Sequence, residues 1–189
     1  MPRTHRKPSP LSDAQLHELA LAYVARFATT RAKLEAYLVR KLRERGWEGE
    51  QAPDATALAL RFAEAGYVDD AVYARMKSES LLRRGYGGRR VGEALRAAGV
   101  DEAVREDVAP AAGESRRAAF ALARRRRFGP WADPLPDRPQ RDKQIAAMLR
   151  AGHTLDNARQ IVEATDLAVV EEWVESAFDG ETGGDDICD

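Results

Sequence analysis

The 189-residue chain has few of the residues from which metal sites and catalytic centres are built. Cys188 is its only cysteine, so the chain can form neither an intramolecular disulfide nor a thiolate cage for a metal ion. The three histidines, His5, His17 and His153, have no acid or cysteine partner at ligand spacing. A nucleophile paired with a base is missing too, so the sequence predicts a protein that is not an enzyme and that holds no metal or other cofactor.

Long apolar runs and strand-like patterns are also missing. No apolar run approaches the roughly 20 residues that a membrane-spanning helix needs, and no hydrophobic stretch of signal-peptide type follows the basic residues of segment 1–10. We therefore expect a soluble, cytoplasmic protein without a membrane partner. No segment alternates apolar and polar residues with the period of a half-buried strand, and this predicts an all-α fold.

Apolar residues recur instead at intervals of three and four, as in amphipathic helices. The first helix carries Leu16, Leu19, Tyr23 and Phe27 on its apolar face, and Tyr37 belongs to the apolar face of the second. Three predicted helices end in an apolar residue followed four positions later by a glycine, which readily adopts the left-handed conformation of a helix stop. These pairs are Leu42 with Gly46, Leu95 with Gly99, and Met148 with Gly152.

The helix endings lie 53 residues apart, and a fixed period of this size is typical of a tandem array. We expect an all-α protein in which three tandem three-helix repeats form an elongated, curved helical array. Residues 129–139 hold four prolines and are predicted to be an extended connector. The predicted segments are a disordered N-terminus 1–11, repeats 12–67, 68–112 and 113–165, a capping helix 166–178, and a disordered acidic tail 179–189.

The net charge of −1 conceals an uneven distribution of charge along the chain. Residues 1–46 hold ten Lys or Arg against four acids, residues 116–127 hold six arginines and no acid, and residues 171–189 hold eight acids and no base. A basic body with an acidic tail indicates a polyanionic partner such as nucleic acid, with the tail competing for the same surface. The alternative is an ordinary solvated surface with a solubilising tail.

Two arginine-rich segments form the candidate binding surface. The four consecutive arginines at 124–127 point all around a helix, so most of them face solvent or an anionic partner. The glycine-rich segment 85–90 lacks the Lys-Ser/Thr pair of a phosphate loop, and we interpret it as a helix–helix joint. The alternative is a joint that also contacts phosphate or protein through its flanking arginines and Tyr86. The predicted binding residues are Arg83, Arg84, Tyr86, Arg89, Arg90, Arg116, Arg117, Arg124, Arg125, Arg126 and Arg127.

The adjacent carboxylates Asp69 and Asp70 could be mistaken for a catalytic pair. Adjacent residues on a helix do not face each other, and an aspartate just before a helix satisfies its first amides. We therefore interpret these two residues as helix caps. Thr30, Asp54 and Thr154 are predicted caps for the same reason.

Four short segments occur in order along the chain, at 66–70, 84–87, 127–129 and 148–152. They resemble motifs of the RecX family of regulatory proteins, which are bacterial modulators of the RecA recombinase. The resemblance spans about residues 16–165. Where the family commonly has Ser and Glu, this chain has Thr30 and Lys33, and His153 stands where an aromatic residue is usual. The similar segments are 66–70 with Tyr73-Ala74 (family pattern GYLDD…FA), 84–87 with Arg90-Val91, Leu95 and Gly99-Val100 (KGYG…RI…EL…KGI), 127–129 (KYG), and 148–152 (L…RG).

This resemblance implies an all-helical protein of three repeats that binds in the groove of RecA filaments on single-stranded DNA. Members of the family inhibit filament growth and lower the ATPase, strand-exchange and coprotease activities of RecA, which affects homologous recombination, DNA repair and the SOS response. No catalysis is attributed to them. We expect a monomer that contacts single-stranded DNA directly or through RecA. The alternative is a helical-repeat nucleic-acid-binding protein that acts on DNA independently of RecA.

Overall fold

The computed structural model describes residues 9–179, and the regular secondary structure of this part of the chain is helical, with one isolated backbone bridge between Leu11 and Trp47. The predicted all-α fold is therefore confirmed. No described helix has the length and apolar character needed to cross a membrane. The α-helices are α1 (Asp13–Arg26), α2 (Arg31–Arg45), α3 (Ala55–Glu64), α4 (Asp70–Arg83), α5 (Gly88–Ala97), α6 (Glu102–Asp107), α7 (Ala112–Arg126), α8 (Arg138–Arg150), α9 (Leu155–Val162) and α10 (Leu167–Asp179).

The described chain forms two compact units. The first unit runs to Ala74 and includes Ala97–Val104, and the second comprises Arg75–Arg96 and the residues from Arg105 onward. The predicted repeats correspond in sequence to α1–α3, α4–α6 and α7–α9, with α10 as the capping helix, but their packing as three repeats stays a prediction. The acidic tail and most of the N-terminal segment lie outside the described residues.

In the first unit, α1, α2 and α3 enclose a core of aliphatic side chains around Phe62. Leu11 belongs to this core and is fully buried. Its amide donates to the Gly46 carbonyl at 2.9 Å, and its carbonyl accepts from the Glu48 amide at 3.0 Å. The predicted disordered segment 1–11 is therefore wrong at its end, because an apolar side chain with core space available stays ordered.

The second unit is built on α7, which packs against α9 and α10. Its core contains Leu122, Met148, Ile161 and Val170. The prolines predicted an extended connector over residues 129–139, but this segment is not extended along its whole length. A turn of 3-10 helix at Gly129–Trp131 instead brings the Trp131 ring edge-on to Phe120, at a centroid distance of 5.1 Å. Packing of these two partly buried aromatic rings against the core outweighs the preference of prolines for an extended chain.

The helix boundaries follow the predicted stops and caps. Gly46, Gly99 and Gly152 have φ values of +83°, +73° and +96°, so each of the three repeated endings has the positive φ that glycine readily adopts. The predicted caps also accept amide hydrogen bonds at the starts of their helices. These bonds are Lys33 to Thr30 (3.2 Å), Ala57 to Asp54 (2.9 Å), Val72 to Asp69 (2.8 Å) and Asn157 to Thr154 (3.2 Å).

Two contacts in the first unit join the start of α4 to the start of α2. The Asp70 carboxylate accepts from the Arg31 amide at 2.8 Å, so it caps α2 rather than its own helix. One turn further along α4, the Lys33 ammonium donates to the Tyr73 hydroxyl and lies 4.4 Å from the centre of that ring. Asp69 and Asp70 are thus both caps, each of a different helix.

We expect Leu95→Ala to lower the free energy of unfolding by roughly 2–5 kcal/mol, since the side chain is 1% exposed and its removal leaves a cavity. Leu60→Ala is the matched control, because Leu60 is 46% exposed and the loss should stay within about 0.5 kcal/mol. Urea denaturation of the two variants measures both values. Equal losses would show that the two leucines are assigned to the wrong environments.

Candidate functional site

The arginine run at the end of α7 is solvent-exposed at all four of its positions, 124–127. Within residues 9–179, no carboxylate pairs with these guanidinium groups. Arg124, Arg125 and Arg126 form the last turn of α7, where positive charge is favoured by the partial negative charge of the helix end. The sequence-based prediction of a solvated basic cluster is therefore confirmed in its geometry, whereas its binding role stays a prediction.

Arg127 ends α7 in a left-handed conformation, with φ 54° and ψ 51°. Among the described residues, every other position with positive φ is a glycine. A side chain with a Cβ costs about 1–2 kcal/mol in this conformation. A glycine would therefore end the helix at lower cost, and the stop itself does not explain the arginine.

The two residues after Arg127 are fixed by packing. Phe128 packs against the core of the second unit. Gly129 accepts no larger residue, because a Cβ there would lie 2.4 Å from the Ile161 carbonyl oxygen. The Gly129 amide donates to the Gln144 side chain at 2.9 Å. This short motif thus combines a helix stop, a core ring and a close backbone approach.

The glycine-rich segment 85–90 is a helix–helix joint that is closed by the turn between α8 and α9. The Gly87 amide donates to the Ala151 carbonyl at 2.9 Å, and the Arg89 amide donates to the Gly152 carbonyl at 3.2 Å. A Cβ on Gly87 would lie 2.3 Å from the carbonyl carbon of Gly152. These two amides are occupied by the protein itself, so neither is available to an anion.

Two of those arginines share one carboxylate. Arg89 and Arg90 both pair with Glu93, with a distance of 3.1 Å from Arg90, and Arg89 also donates to the Leu149 carbonyl at 2.7 Å. The hydrogen bond from Arg90, together with the charge of Arg89, lowers the pKa of Glu93. Both arginines are exposed, but their charge is partly neutralised at close range.

The remaining predicted residues have differing surroundings. Arg83 is exposed and lies 3.5 Å from the Glu79 carboxylate. The exposed Arg84 guanidinium stacks over the half-buried Tyr86 ring, 5.4 Å from its centre. Arg117 is exposed on α7. The structure thus presents these side chains at the surface of the second unit.

Arg116 is engaged in holding α10. Its guanidinium donates to the Trp173 carbonyl at 2.6 Å and to the Ser176 hydroxyl at 3.2 Å, and it lies 4.8 Å from the centre of the Trp173 ring. These contacts give the side chain a structural role that the sequence did not predict. Arg116 therefore differs from the exposed arginines at 124–127, because its guanidinium is bound within the protein.

A groove between α8 and α9 was missed by the sequence analysis. Its volume is about 640 Å³, and its lining includes Arg138, Arg141 and Arg159 over the apolar side chains of Ile145 and Leu149. The spacing of three between Arg138 and Arg141 indicates one helix face. The contribution of Arg159 from a second helix depends on tertiary packing, which the spacing does not reveal.

His153 is a buried part of the glycine joint. Its side chain is 5% exposed, and its Nε2 lies 3.0 Å from the Gly85 carbonyl oxygen, which can only accept, so Nε2 carries the proton. Nδ1 is buried and makes no hydrogen bond to a described residue. Burial lowers the pKa of His153, although the bond to Gly85 opposes this effect. The ring therefore belongs to the joint as a neutral imidazole.

We expect the free energy of unfolding to fall as the pH drops below about 6.5, because the unfolded chain then protonates His153 before the folded protein does. The contribution of neutral His153 to the free energy of unfolding is complete above that pH. It is lost as the pH falls toward the lower pKa of the folded state. Urea denaturation across this range should show a shallower fall in His153→Phe than in the unsubstituted protein. His17→Gln is the control, since His17 is exposed. Identical pH profiles for His153→Phe and the unsubstituted protein would contradict the assignment.

Comparison with known proteins gives a consistent result. Residues 69–108, which include α4, α5 and α6, match the family described as RecX, second three-helix domain. The chain is 31% identical over 171 residues to Regulatory protein RecX of Myxococcus xanthus (strain DK1622), covering 86% of this chain and 91% of that protein. Identity to Regulatory protein RecX of Mycobacterium sp. (strain KMS) is 32% over 165 residues, covering 82% and 86%. For a Regulatory protein RecX of Thermus thermophilus, it is 40% over 109 residues, covering 58% and 70%.

Proposed function

The chain belongs to the RecX family of regulatory proteins, and we propose that it binds RecA filaments on single-stranded DNA and inhibits their growth. By limiting the filament it lowers the ATPase, strand-exchange and coprotease activities of RecA, and so modulates recombination, DNA repair and the SOS response. It acts as a monomer in the cytoplasm and needs no cofactor. Its role is regulatory rather than catalytic.

The observation that carries this proposal is the exposed arginine run at 124–127. Four exposed arginines follow one another at one helix end, and no described carboxylate neutralises them. Arg89 and Arg90, by comparison, share Glu93. A filament of protein on single-stranded DNA offers both phosphates and acidic side chains, and arginine binds either class of anion through paired hydrogen bonds.

The proposal is tested by adding the protein to RecA that is forming filaments on single-stranded DNA. We expect ATP hydrolysis by RecA to fall at well under one copy of the protein per RecA, while the protein alone hydrolyses no ATP. An action at low stoichiometry points to contact with the filament. Unchanged RecA ATPase in excess protein would refute the proposal.

The same titration distinguishes the alternative, in which the protein binds DNA independently of RecA. In that case inhibition appears only when enough protein is present to saturate the bare strand. Measuring strand occupancy without RecA, in the same buffer, gives the concentration at which this occurs. The uneven charge of the chain is the observation that favours this second candidate.

We expect the double change Arg124→Glu and Arg125→Glu to weaken binding to RecA filaments without unfolding the protein, since exposed substitutions usually change stability by about 0.5 kcal/mol or less. Reversal of Arg61 and Arg75, two exposed arginines outside the run, changes the net charge equally and is the matched control. Filament pull-down and thermal unfolding provide the measurements. Equal weakening by both double variants would show that binding follows total charge and not the run.

A further inference from the structure

We propose that the first unit carries a base-stacking site for single-stranded nucleic acid, formed by an aromatic ladder of Phe27, Tyr23 and Tyr37 with flanking cations. This site goes beyond the proposed regulation of RecA, because it is a direct contact with the strand. It also lies apart in sequence from the arginines at 83–127.

The ladder crosses from α1 to α2. Tyr23 and Tyr37 stack in parallel, with ring centres 4.2 Å apart and planes inclined by 14°. Phe27 follows Tyr23 with a centre distance of 5.3 Å and a tilt of 50°. Three rings from two helices are thereby joined in one continuous row.

The rings differ in what they contribute to the fold. Tyr23 and Tyr37 are half-buried and pack against the core of the first unit. Phe27 follows the last residue of α1 in an extended conformation and is 51% exposed. The two tyrosines are therefore held against the core, and Phe27 presents an aromatic surface, about half of it exposed, at the end of the row.

Positive groups lie at both ends of the ladder. The Arg26 guanidinium is 5.8 Å from the centre of the Phe27 ring. Arg40 and Lys41 lie 5.5 and 5.8 Å from the centre of Tyr37. The Glu44 carboxylate pairs with Arg40 at 3.6 Å and with Lys41 at 2.6 Å. In the described part of the chain, Arg26 has no carboxylate partner.

The charge around the ladder is positive as a whole. Residues 13–46, which contain α1 and α2, hold seven Lys or Arg against four acids. A polyanion is therefore attracted to this face. Glu44 neutralises part of the charge of Arg40 and Lys41 at the Tyr37 end, whereas Arg26 at the Phe27 end keeps its full charge. A strand would consequently meet an exposed ring and an unpaired cation at the same place.

Another exposed aromatic residue of the first unit provides a comparison. Tyr67 is 58% exposed, and its ring lies on Phe62 with a centre distance of 5.4 Å. Among the described residues, no cation lies over the Tyr67 ring, whereas Phe27 has Arg26 over its ring. Exposure of an aromatic ring alone does not make the proposed site, and Tyr67 supplies a matched control.

Single-stranded nucleic acid is the ligand whose chemistry fits both features. Its bases present flat π-faces that stack on aromatic side chains, and its phosphates pair with cations beside them. Stacking tolerates any base, so the site is not expected to select a sequence. An acidic protein segment would use the cations but would gain little from Phe27.

The test compares two strands of equal length, a labelled oligothymidylate and an abasic strand that keeps the sugars and phosphates without bases. We expect Phe27→Leu to weaken binding to oligothymidylate by about 5- to 150-fold, the range associated with loss of one stacked base. Binding to the abasic strand should be unchanged. Phe27→Trp should restore the preference for the strand with bases, and Tyr67→Leu should leave it intact.

The result is read by fluorescence anisotropy, with thermal unfolding to compare the variants. If Phe27→Leu binds both strands like the unsubstituted protein, the stacking site is wrong. If it weakens both strands equally, the contact is with phosphates only and the stacking site is likewise wrong. RecA is absent from this assay, so its outcome is separate from the inhibition of RecA ATPase.

Discussion

The second unit depends on a backbone contact between two turns, and neither turn has room for a larger residue. Gly87 and Gly152 approach so closely that a Cβ on either would overlap the other chain segment. The approach brings the Gly87 and Arg89 amides onto the carbonyls of the α8–α9 turn, and it places His153 against the Gly85 carbonyl. With the Gly87 and Arg89 amides occupied, neither of them is available to bind an anion.

Local features of the fold were predictable because they depend on neighbours in sequence. A glycine after an apolar residue ends a helix, and Thr30 or Asp54 satisfies amides three residues ahead. Contacts between distant residues were not predictable in this way. The Thr30 hydroxyl donates to the Ala98 carbonyl at 2.6 Å, and the Leu11 amide donates to the Gly46 carbonyl. The residues next to Thr30 and Leu11 in the sequence do not indicate these distant partners. The division into two compact units was not predictable for the same reason. The periodicity of apolar residues identifies the apolar face of a helix but not the helix against which that face packs.

The candidate site shows the same limit. Exposure of residues 124–127 follows from helix geometry, because four consecutive side chains cannot all face one core. Arg116, by contrast, contacts α10, a helix that begins 51 residues later in the chain. No rule of residue spacing predicts a contact over that distance. Phe27 fits the apolar period of α1 and was assigned to its buried face. The structure corrects this: α1 ends at Arg26, and the extended backbone of Phe27 turns the ring outward, 51% exposed.

The contact between Lys33 and Tyr73 joins two places at which this chain differs from the pattern it resembles. The pattern has Glu at the first position and Phe at the second, and a carboxylate would gain nothing from a phenyl ring there. In this chain the ammonium group lies over an aromatic ring and reaches a hydroxyl that phenylalanine lacks. Each of the two residues therefore gives the other its partner, and the pair joins the start of α2 to the first turn of α4. Replacement of either residue alone in this chain would leave the other without that contact.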